Sequence, residues 1–148
     1  AICLCAMLLS AGTAAAADAF AALNGAWTGK GSARFAEGGS EALSCTARYA
    51  GHGSNLTLLV RCASASAHIH LTSSLNSKGG VVSGGWSESA FGLSGMAQGS
   101  ISGPRIALRI SGGATGELTL TVAGDRHTLA LKTESSALKG VDVSLIKR

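Results

Sequence analysis

Aromatic residues, proline and charged residues are all scarce in this sequence. Two tryptophans, one tyrosine and three phenylalanines are the aromatic residues among 148, and there is one proline. A membrane-spanning β-barrel carries girdles of aromatic side chains, and single-stranded nucleic acid is bound on stacked aromatic rings, so neither class fits this composition. Charged residues make up 14% and hydrophobic residues 46%. That balance excludes a disordered polar chain and indicates one folded domain with a modest core.

Motifs of catalysis are also missing. The sequence has no Gly-x-Ser-x-Gly motif of a nucleophilic serine and no Cys-x-x-Cys spacing of a metal site. In Trp86-Ser87-Glu88 a carboxylate follows an aromatic ring, whose apolar surroundings could raise its pKa and mark a site. A glutamate at the rim of the core beside a buried tryptophan is the simpler interpretation. We therefore expect no enzymatic activity and no cofactor.

The N-terminal segment has the composition of an export signal. Residues 1–17 carry no charge, and Ala15 and Ala17 form a small-residue cleavage site before Asp18. We interpret 1–17 as part of a signal peptide, its basic start lying before the sequence given, and 18–148 as a single mature domain. A membrane anchor is the alternative, but the strongly apolar part is short for a span and no Lys or Arg follows it. Export predicts a periplasmic or extracellular protein.

The stretch 41–63 predicts a β-hairpin that carries a disulfide. Two runs of alternating residues flank a turn at Gly53-Ser54, and a hairpin symmetric about that turn places Cys45 opposite Cys62. The other two cysteines lie in the signal and leave with it. Two cysteines in an exported protein usually pair, so we expect a Cys45–Cys62 disulfide, with two buried free thiols as the alternative.

Alternation of apolar and polar residues continues along most of the chain. Short runs with a period of two, such as 66–75, 106–110, 118–122 and 127–131, are separated by turns rich in glycine. One helical turn after Asp18, capped by its side chain, is the exception. We predict an all-β fold, an antiparallel meander of about eight to ten strands. Closure into a small barrel removes exposed strand edges, and a β-sandwich is the alternative.

The start of the first strand supports the barrel. Gly25-Ala26-Trp27 directly follows the helical turn, and this arrangement resembles the calycin superfamily of lipocalin-like and avidin-like barrels. The resemblance implies a calycin-like barrel whose bottom is closed by Trp27, under a basic residue of the last strand, for which Lys147 and Arg148 are the candidates. It implies a fold and no particular ligand, because the second lipocalin motif and the aromatic set of an avidin-like biotin site are missing.

Basic residues fall on the strand faces opposite to the apolar ones, so we expect them on the outside. The formal net charge is +4, which favours anionic partners such as lipid headgroups, envelope glycans or an acidic protein. Solubility alone is the alternative interpretation, and no nucleic-acid partner and no membrane span of the mature chain are expected. The predicted anion-facing residues are Arg34, Arg48, Arg61, Arg105 and Arg109.

Two histidines form the one metal-like pair. His68 and His70 alternate on one strand, so their rings share a face, as the ligands of a metal site do. This is the polar face of the strand, and no further ligand is evident. Two solvated surface histidines are the preferred interpretation.

Small residues on the predicted inner faces suggest space inside the barrel, although a narrow, tightly coiled barrel needs them too. These residues are Gly29, Gly31, Ala33, Ala47, Ala67 and Gly84. We expect a non-enzymatic exported barrel that binds a small apolar ligand. The residues expected to line its site are Trp27, Phe35, Tyr49 and Trp86. The alternative is an envelope interaction module, an inhibitor or structural accessory, that uses the basic outer surface.

Overall fold

The computed structural model describes residues 19–134 and 137–148, which form one short helix and ten β-strands. The helix, α1, covers residues 19–23. The strands are β1 (Gly25–Phe35), β2 (Gly39–His52), β3 (Asn55–Ala63), β4 (His68–Lys78), β5 (Val81–Glu88), β6 (Leu93–Ser102), β7 (Arg105–Gly112), β8 (Gly116–Ala123), β9 (Arg126–Thr133) and β10 (Leu138–Lys147). The predicted signal peptide and the predicted capping residue Asp18 lie outside the described residues.

The ten strands form a closed antiparallel barrel. Each strand pairs with the next in the chain, and β10 pairs with β1 to close the sheet. The predicted all-β meander and its closure are therefore confirmed, and the sandwich alternative is wrong. Every strand has a neighbour on both sides, so no edge is left to pair with another chain.

The connections at the two ends of the barrel differ in length. At one end, where α1 also lies, four hairpin turns have two residues each. Each turn begins with a glycine at positive φ, a conformation that costs other residues free energy but not glycine. These glycines are Gly53 (φ 58°), Gly79 (φ 61°), Gly103 (φ 57°) and Gly124 (φ 62°). We call this the closed end. At the opposite, open end the connections span three or four residues: 36–38, 64–67, 89–92, 113–115 and 134–137.

The β2–β3 hairpin has the predicted register. His52 pairs with Asn55 across the Gly53-Ser54 turn, and Cys45 lies directly opposite Cys62. The two cysteines form a disulfide, with their Cα atoms 4.1 Å apart. A disulfide is consistent with an exported protein.

The inward glycines serve close strand packing rather than ligand space. A Cβ atom on Gly29 would lie 1.9 Å from the Ser144 carbonyl oxygen, and one on Gly84 would lie 1.9 Å from that of Ser74. The neighbouring strand therefore occupies the volume where a side chain would be. Tight coiling, the second of the two explanations for small inward residues, accounts for these glycines.

The predicted strand at 66–75 is shifted in the structure. β4 begins at His68, so Ala67 lies in the preceding loop, where its backbone N–H is bonded to the Ser64 hydroxyl oxygen. β4 also continues to Lys78, which pairs with Val81 across a two-residue turn. The strand extends beyond the alternating run because Ser77, although polar, faces inward and is buried.

The core fills the barrel from the closed end. Phe20 and Leu23 of α1 are fully buried against the inner faces of the strands, and Trp27 is 1% exposed. The helix is held in place by Asn24, whose side-chain amide donates to the Gly51 carbonyl and accepts from the Gly51 N–H. In the described part of the chain, no helix has the length and apolar character needed to cross a bilayer.

Candidate ligand cavity at the open end

An apolar cavity of about 120 Å³ lies inside the barrel below the open-end loops. Its wall is made mainly of inward-facing aliphatic side chains from β3, β4, β7, β8, β9 and β10. The main aliphatic residues are Leu58, Val60, Leu71, Leu108, Ile110, Leu118, Leu129, Leu131 and Val141. Trp86 adds the one indole ring of the wall. The side chains alternate in and out along each strand, so the period of two in the sequence places every second residue here.

The cavity reaches the surface between two loops. Phe91, in the β5–β6 loop, and Ala137, in the β9–β10 loop, both line it and are both exposed. Phe91 is 49% exposed, which is unusual for so large an apolar side chain. Sequence reasoning missed this residue. The signal available in the sequence was a phenylalanine placed between the strand-like run that ends at Glu88 and Gly92.

The polar side chains of the wall donate their protons within the protein. The Trp86 indole N–H is shared between the carbonyl oxygens of Met96 (3.1 Å) and Ser111 (3.2 Å). The Ser73 hydroxyl donates to the Gly85 carbonyl oxygen at 2.7 Å. The Thr133 hydroxyl donates to the carbonyl oxygen of Leu138. No described side chain of the wall therefore keeps a free N–H or O–H for a ligand.

Glu88 is the charged residue of the wall, and it anchors the loop at the mouth. Its carboxylate accepts hydrogen bonds from the backbone N–H groups of His70 (2.7 Å), Ala90 (3.0 Å) and Phe91 (2.7 Å). The side chain is 8% exposed. A carboxylate has about four acceptor sites, so three are used and roughly one remains. Glu88 thus fixes the position of Phe91 and is an acceptor rather than a donor toward the cavity.

The structure separates the four residues predicted to line a ligand site. Trp86 lines the cavity, whereas Trp27 and Tyr49 lie in the closed end and Phe35 is half-buried beside the core without lining the cavity. Strand alternation placed all four on inner faces. Alternation does not show how far along the barrel axis each residue lies, and that position decides which of the four side chains contact one another.

Trp27 and Tyr49 belong to a buried cluster around His127. The His127 ring packs edge-to-face with Trp27 (centroids 5.5 Å apart) and with Tyr49 (5.3 Å). The Tyr49 hydroxyl and His127 Nε2 are 2.6 Å apart, and His127 Nδ1 is 3.1 Å from the Thr121 carbonyl oxygen. A carbonyl only accepts, so Nδ1 carries a proton. In the neutral ring, Nε2 then accepts the proton of the Tyr49 hydroxyl.

Burial sets the ionisation of this cluster. Removal from water lowers the pKa of His127, and the hydrogen bond to the Thr121 carbonyl opposes that shift in part. Burial also raises the pKa of Tyr49 well above its usual value. Both pKa shifts favour the neutral side chains, and in these the Tyr49 hydroxyl and the His127 ring satisfy each other by a hydrogen bond. The cluster closes this end of the barrel with three buried rings, those of Trp27, Tyr49 and His127.

A lysine covers the outer side of this closure. Lys147 Nζ lies 5.3 Å from the centre of the Trp27 ring, a cation–π distance, and 3.5 Å from the Ala22 carbonyl oxygen. The Trp27 indole N–H donates to the Leu23 carbonyl oxygen at 2.8 Å, which ties β1 to α1. The calycin resemblance implied a basic residue over Trp27, with Lys147 and Arg148 as the candidates, and Lys147 occupies that position.

The five predicted anion-facing arginines do not form one patch. Arg34 pairs with Asp142 at 2.5 Å, and Arg109 pairs with Glu134 at 3.1 Å, so two of them are offset by carboxylates. Arg48 and Arg61 lie on the neighbouring strands β2 and β3, whereas Arg105 begins β7 on a distant part of the wall. The arginines are on outer faces, as predicted, but spread around the barrel.

The two histidines of β4 lie beside a shallow groove on the outer wall. Lys30, Arg61, His68 and His70 all line this groove. The Arg61 Nε–H donates to His70 Nε2 at 3.3 Å, so the His70 ring nitrogen is already an acceptor. Across the described residues, no group of three or more His, Cys, Asp or Glu side chains is arranged to hold a metal ion.

Comparison with solved structures shows what the fold resembles. The chain is similar to the crystal structure of Rv2717c from M. tuberculosis, with a TM-score of 0.70 and 17% sequence identity over 90% of this chain and 97% of that one. At this identity the likeness concerns the barrel fold alone. No family model matches the sequence, and no curated protein matches it.

Proposed function

We propose that this protein is a non-enzymatic, exported carrier or receptor that binds a small, neutral, apolar molecule in the cavity at the open end of the barrel. The observation that carries the proposal is the cavity itself: an interior space with an aliphatic wall, an indole ring and an exposed phenylalanine at its mouth. Apolar concave sites with few polar groups are the usual places where proteins bind small molecules.

The volume limits the ligand to a small one. About 120 Å³ is below the roughly 300–1,000 Å³ of sites for drug-sized ligands. It is close to the engineered apolar cavity of about 150 Å³ that holds benzene. A single aromatic ring or a short branched alkyl group fits this space. A large planar cofactor does not fit it without movement of the wall.

The polar atoms of the wall limit the ligand further. Since Trp86, Ser73 and Thr133 donate their protons within the protein, a carboxylate ligand would find no side-chain donor and would face the Glu88 carboxylate. Burial of an unpaired anion is costly. A ligand with one hydrogen-bond donor, such as a phenol, could use the remaining acceptor site of Glu88. The proposed class is therefore neutral hydrocarbons and phenols rather than acids.

The finer identity of the fold is part of this proposal. The Trp27 and Lys147 arrangement supports a calycin-like barrel, and the disulfide supports export to the periplasm or the extracellular space. In such a protein the closed end provides stability and the open end binds the ligand. That division does not require a catalytic group in the cavity.

Tryptophan fluorescence tests the proposal because the two tryptophans report on different ends. Trp27→Phe leaves Trp86, on the cavity wall, as the reporter, and Trp86→Phe leaves Trp27, in the closed end. We expect benzene, toluene and phenol to change the emission of the Trp27→Phe variant with a saturable dependence on concentration. The same ligands should leave the Trp86→Phe variant unchanged, and benzoate should change neither.

Xenon provides a readout on the unsubstituted protein. The ¹²⁹Xe NMR resonance should shift in a saturable way if the cavity is accessible, and benzene should reverse the shift. Absence of a xenon shift, together with no response of Trp86 to any neutral ligand, would show that the barrel interior is not a binding site. A response to benzoate equal to that of toluene would leave the site but overturn the proposed ligand class.

A further inference from the structure

Positive charge is concentrated at the closed end of the barrel. Lys78, Arg105 and Arg126 lie at the turn-proximal ends of β4, β7 and β9, and Lys147 and Arg148 lie at the end of β10. We call these five residues the closed-end cations; all five are exposed. Among the described residues, Asp125 is the one carboxylate at this end. The closed end therefore has a net positive charge of about four from its side chains.

Ion pairs do not neutralise this charge. The three ion pairs found among the described residues all involve Arg34 or Arg109, away from the closed-end turns. Most carboxylates lie toward the open end, in its loops or in the adjoining parts of the strands. These are Glu37, Glu41, Glu88, Glu117 and Glu134. Cations toward the open end, among them Arg61, Lys132 and Lys139, balance most of these carboxylates, so the excess positive charge of the barrel is concentrated at the closed end.

Two exposed apolar side chains lie beside these cations. Val81 is 50% exposed and pairs in register with Lys78; Ile146 is 51% exposed and pairs in register with Arg126. An apolar side chain next to a cation, repeated on two separate parts of one rim, is a combination that suits the boundary between lipid headgroups and acyl chains. The same combination gives no advantage toward a purely polar glycan.

The arrangement of the cations indicates a flat partner. They belong to β4, β7, β9 and β10, which are spread around the rim, so their side chains diverge and do not converge on a small anion. A planar anionic surface can meet all of them at once. Single-stranded nucleic acid is disfavoured because the aromatic rings of this end, Trp27 and Tyr49, are buried and cannot stack on bases.

We infer that the closed end of the barrel is a docking surface for an anionic lipid membrane. Docked in this way, the barrel directs its open end and cavity away from the bilayer, and any ligand exchanges with the aqueous side. The inference does not depend on the cavity having a ligand.

Vesicle binding with two matched triple variants tests this inference. The first combines Lys78→Gln, Arg105→Gln and Arg126→Gln at the closed end. The second combines Arg61→Gln, Lys132→Gln and Lys139→Gln toward the open end, with the same change in net charge at exposed positions. Each basic residue close to an anionic surface contributes about fivefold to affinity, so the first variant should bind phosphatidylglycerol vesicles about 100-fold more weakly at about 0.1 M ionic strength, where the Debye length is about 10 Å. The second should lose less than about threefold, because its charges lie beyond a Debye length of the membrane.

The controls separate a membrane from other polyanions. Melting temperatures of both variants should match that of the parent, since all six side chains are exposed. Replacement of Val81 and Ile146 by serine should weaken vesicle binding but leave binding to heparin unchanged. Equal losses in the two triple variants, or no preference for phosphatidylglycerol over phosphatidylcholine, would overturn the inference. Tighter binding to heparin than to vesicles, unaffected by the serine variants, would assign the surface to a soluble polyanion instead.

Discussion

The two ends of the barrel contrast in nearly every physical property. The closed end has two-residue turns, a helix packed over the strands and a buried cluster in which Trp27 and Tyr49 both pack against His127. The open end has longer loops, an empty aliphatic space and an exposed Phe91 at its mouth. Polar groups inside the closed end bond to each other, whereas those near the open end hold loops and strands in position.

This contrast explains how a small barrel can have both stability and a cavity. A void in a core loses dispersion contacts and costs stability, so a barrel with an empty end needs a well-packed region elsewhere. The closed end supplies it through aromatic rings, which are otherwise scarce in the chain. Trp27 and Tyr49 belong to that cluster, and Trp86 forms part of the cavity wall.

Substitution of a buried ring at each end tests whether the closed end contributes more to the free energy of unfolding. Trp27→Ala removes a fully buried ring, its hydrogen bond to Leu23 and its contact with His127, so the free energy of unfolding should fall by about 3–5 kcal/mol. Trp86→Ala should cost less, about 2–3 kcal/mol, because the space it leaves joins a cavity that already reaches the surface. Urea titration of both variants measures the two values. Equal losses would mean that the two ends contribute alike.

The Cys45–Cys62 disulfide should contribute about 3 kcal/mol to the free energy of unfolding. Its cysteines are 17 residues apart, and the chain-entropy model gives about 3 kcal/mol for a loop of that length. A variant with Cys45→Ala and Cys62→Ala should unfold at correspondingly lower urea concentration. In the parent protein a thiol reagent should add no label at Cys45 or Cys62 before reduction and two labels after reduction and unfolding. Two labels on these residues in the native, unreduced protein would contradict the disulfide.

The closed end should also make stability depend on pH. Burial lowers the pKa of His127 below its usual 6.5, so below pH 6.5 the unfolded chain binds a proton that the native protein does not. The contribution of the neutral ring is complete above pH 6.5 and is lost as the pH falls through and below that value. Protonation would also remove the acceptor at Nε2 for the Tyr49 hydroxyl. Thermal melts between pH 5 and pH 7.5 should show this loss in the parent and in a variant with His68→Gln and His70→Gln.

The matched comparison is His127→Gln, which removes the titrating ring. This variant should be less stable at neutral pH but show a flatter dependence on pH over the same range. An unchanged slope in His127→Gln, or a slope that disappears in the His68→Gln and His70→Gln variant, would assign the effect to the outer histidines.

Most of the fold could be predicted from the sequence, because alternation alone shows which residues of a strand face inward and which face outward. The pairing of Cys45 with Cys62 could be predicted because the hairpin is symmetric about Gly53-Ser54, and a register fixed at one pair fixes the whole hairpin. The barrel closure followed from the regular succession of short strands. The predicted end of the fourth strand was wrong because the polar residue Ser77 proved to be buried.

The site was less accessible to sequence reasoning. Alternation showed that Trp27, Tyr49 and Trp86 all face inward, but their height in the barrel depends on the stagger of the strands, which the sequence does not display. The small inward residues were ambiguous for a related reason. Gly29 and Gly84 are small because a neighbouring strand occupies the space. Ala97, a small residue of β6, instead borders the cavity.

Ala97 offers the smallest and most specific test of the contrast between the ends. Ala97→Leu adds three carbon atoms at a buried position of the cavity wall, so it should fill part of the void and raise the free energy of unfolding by about 1 kcal/mol. The same change should abolish the response of Trp86 to toluene, because the ligand and the new side chain need the same space. Ala50→Leu, on the outer face of β2, adds the same atoms outside the barrel and should alter neither property. Urea titration and the fluorescence assay on the two variants measure both effects. Destabilisation by Ala97→Leu with toluene binding intact would show that the ligand, if any, binds elsewhere and that the open end is packed as tightly as the closed one.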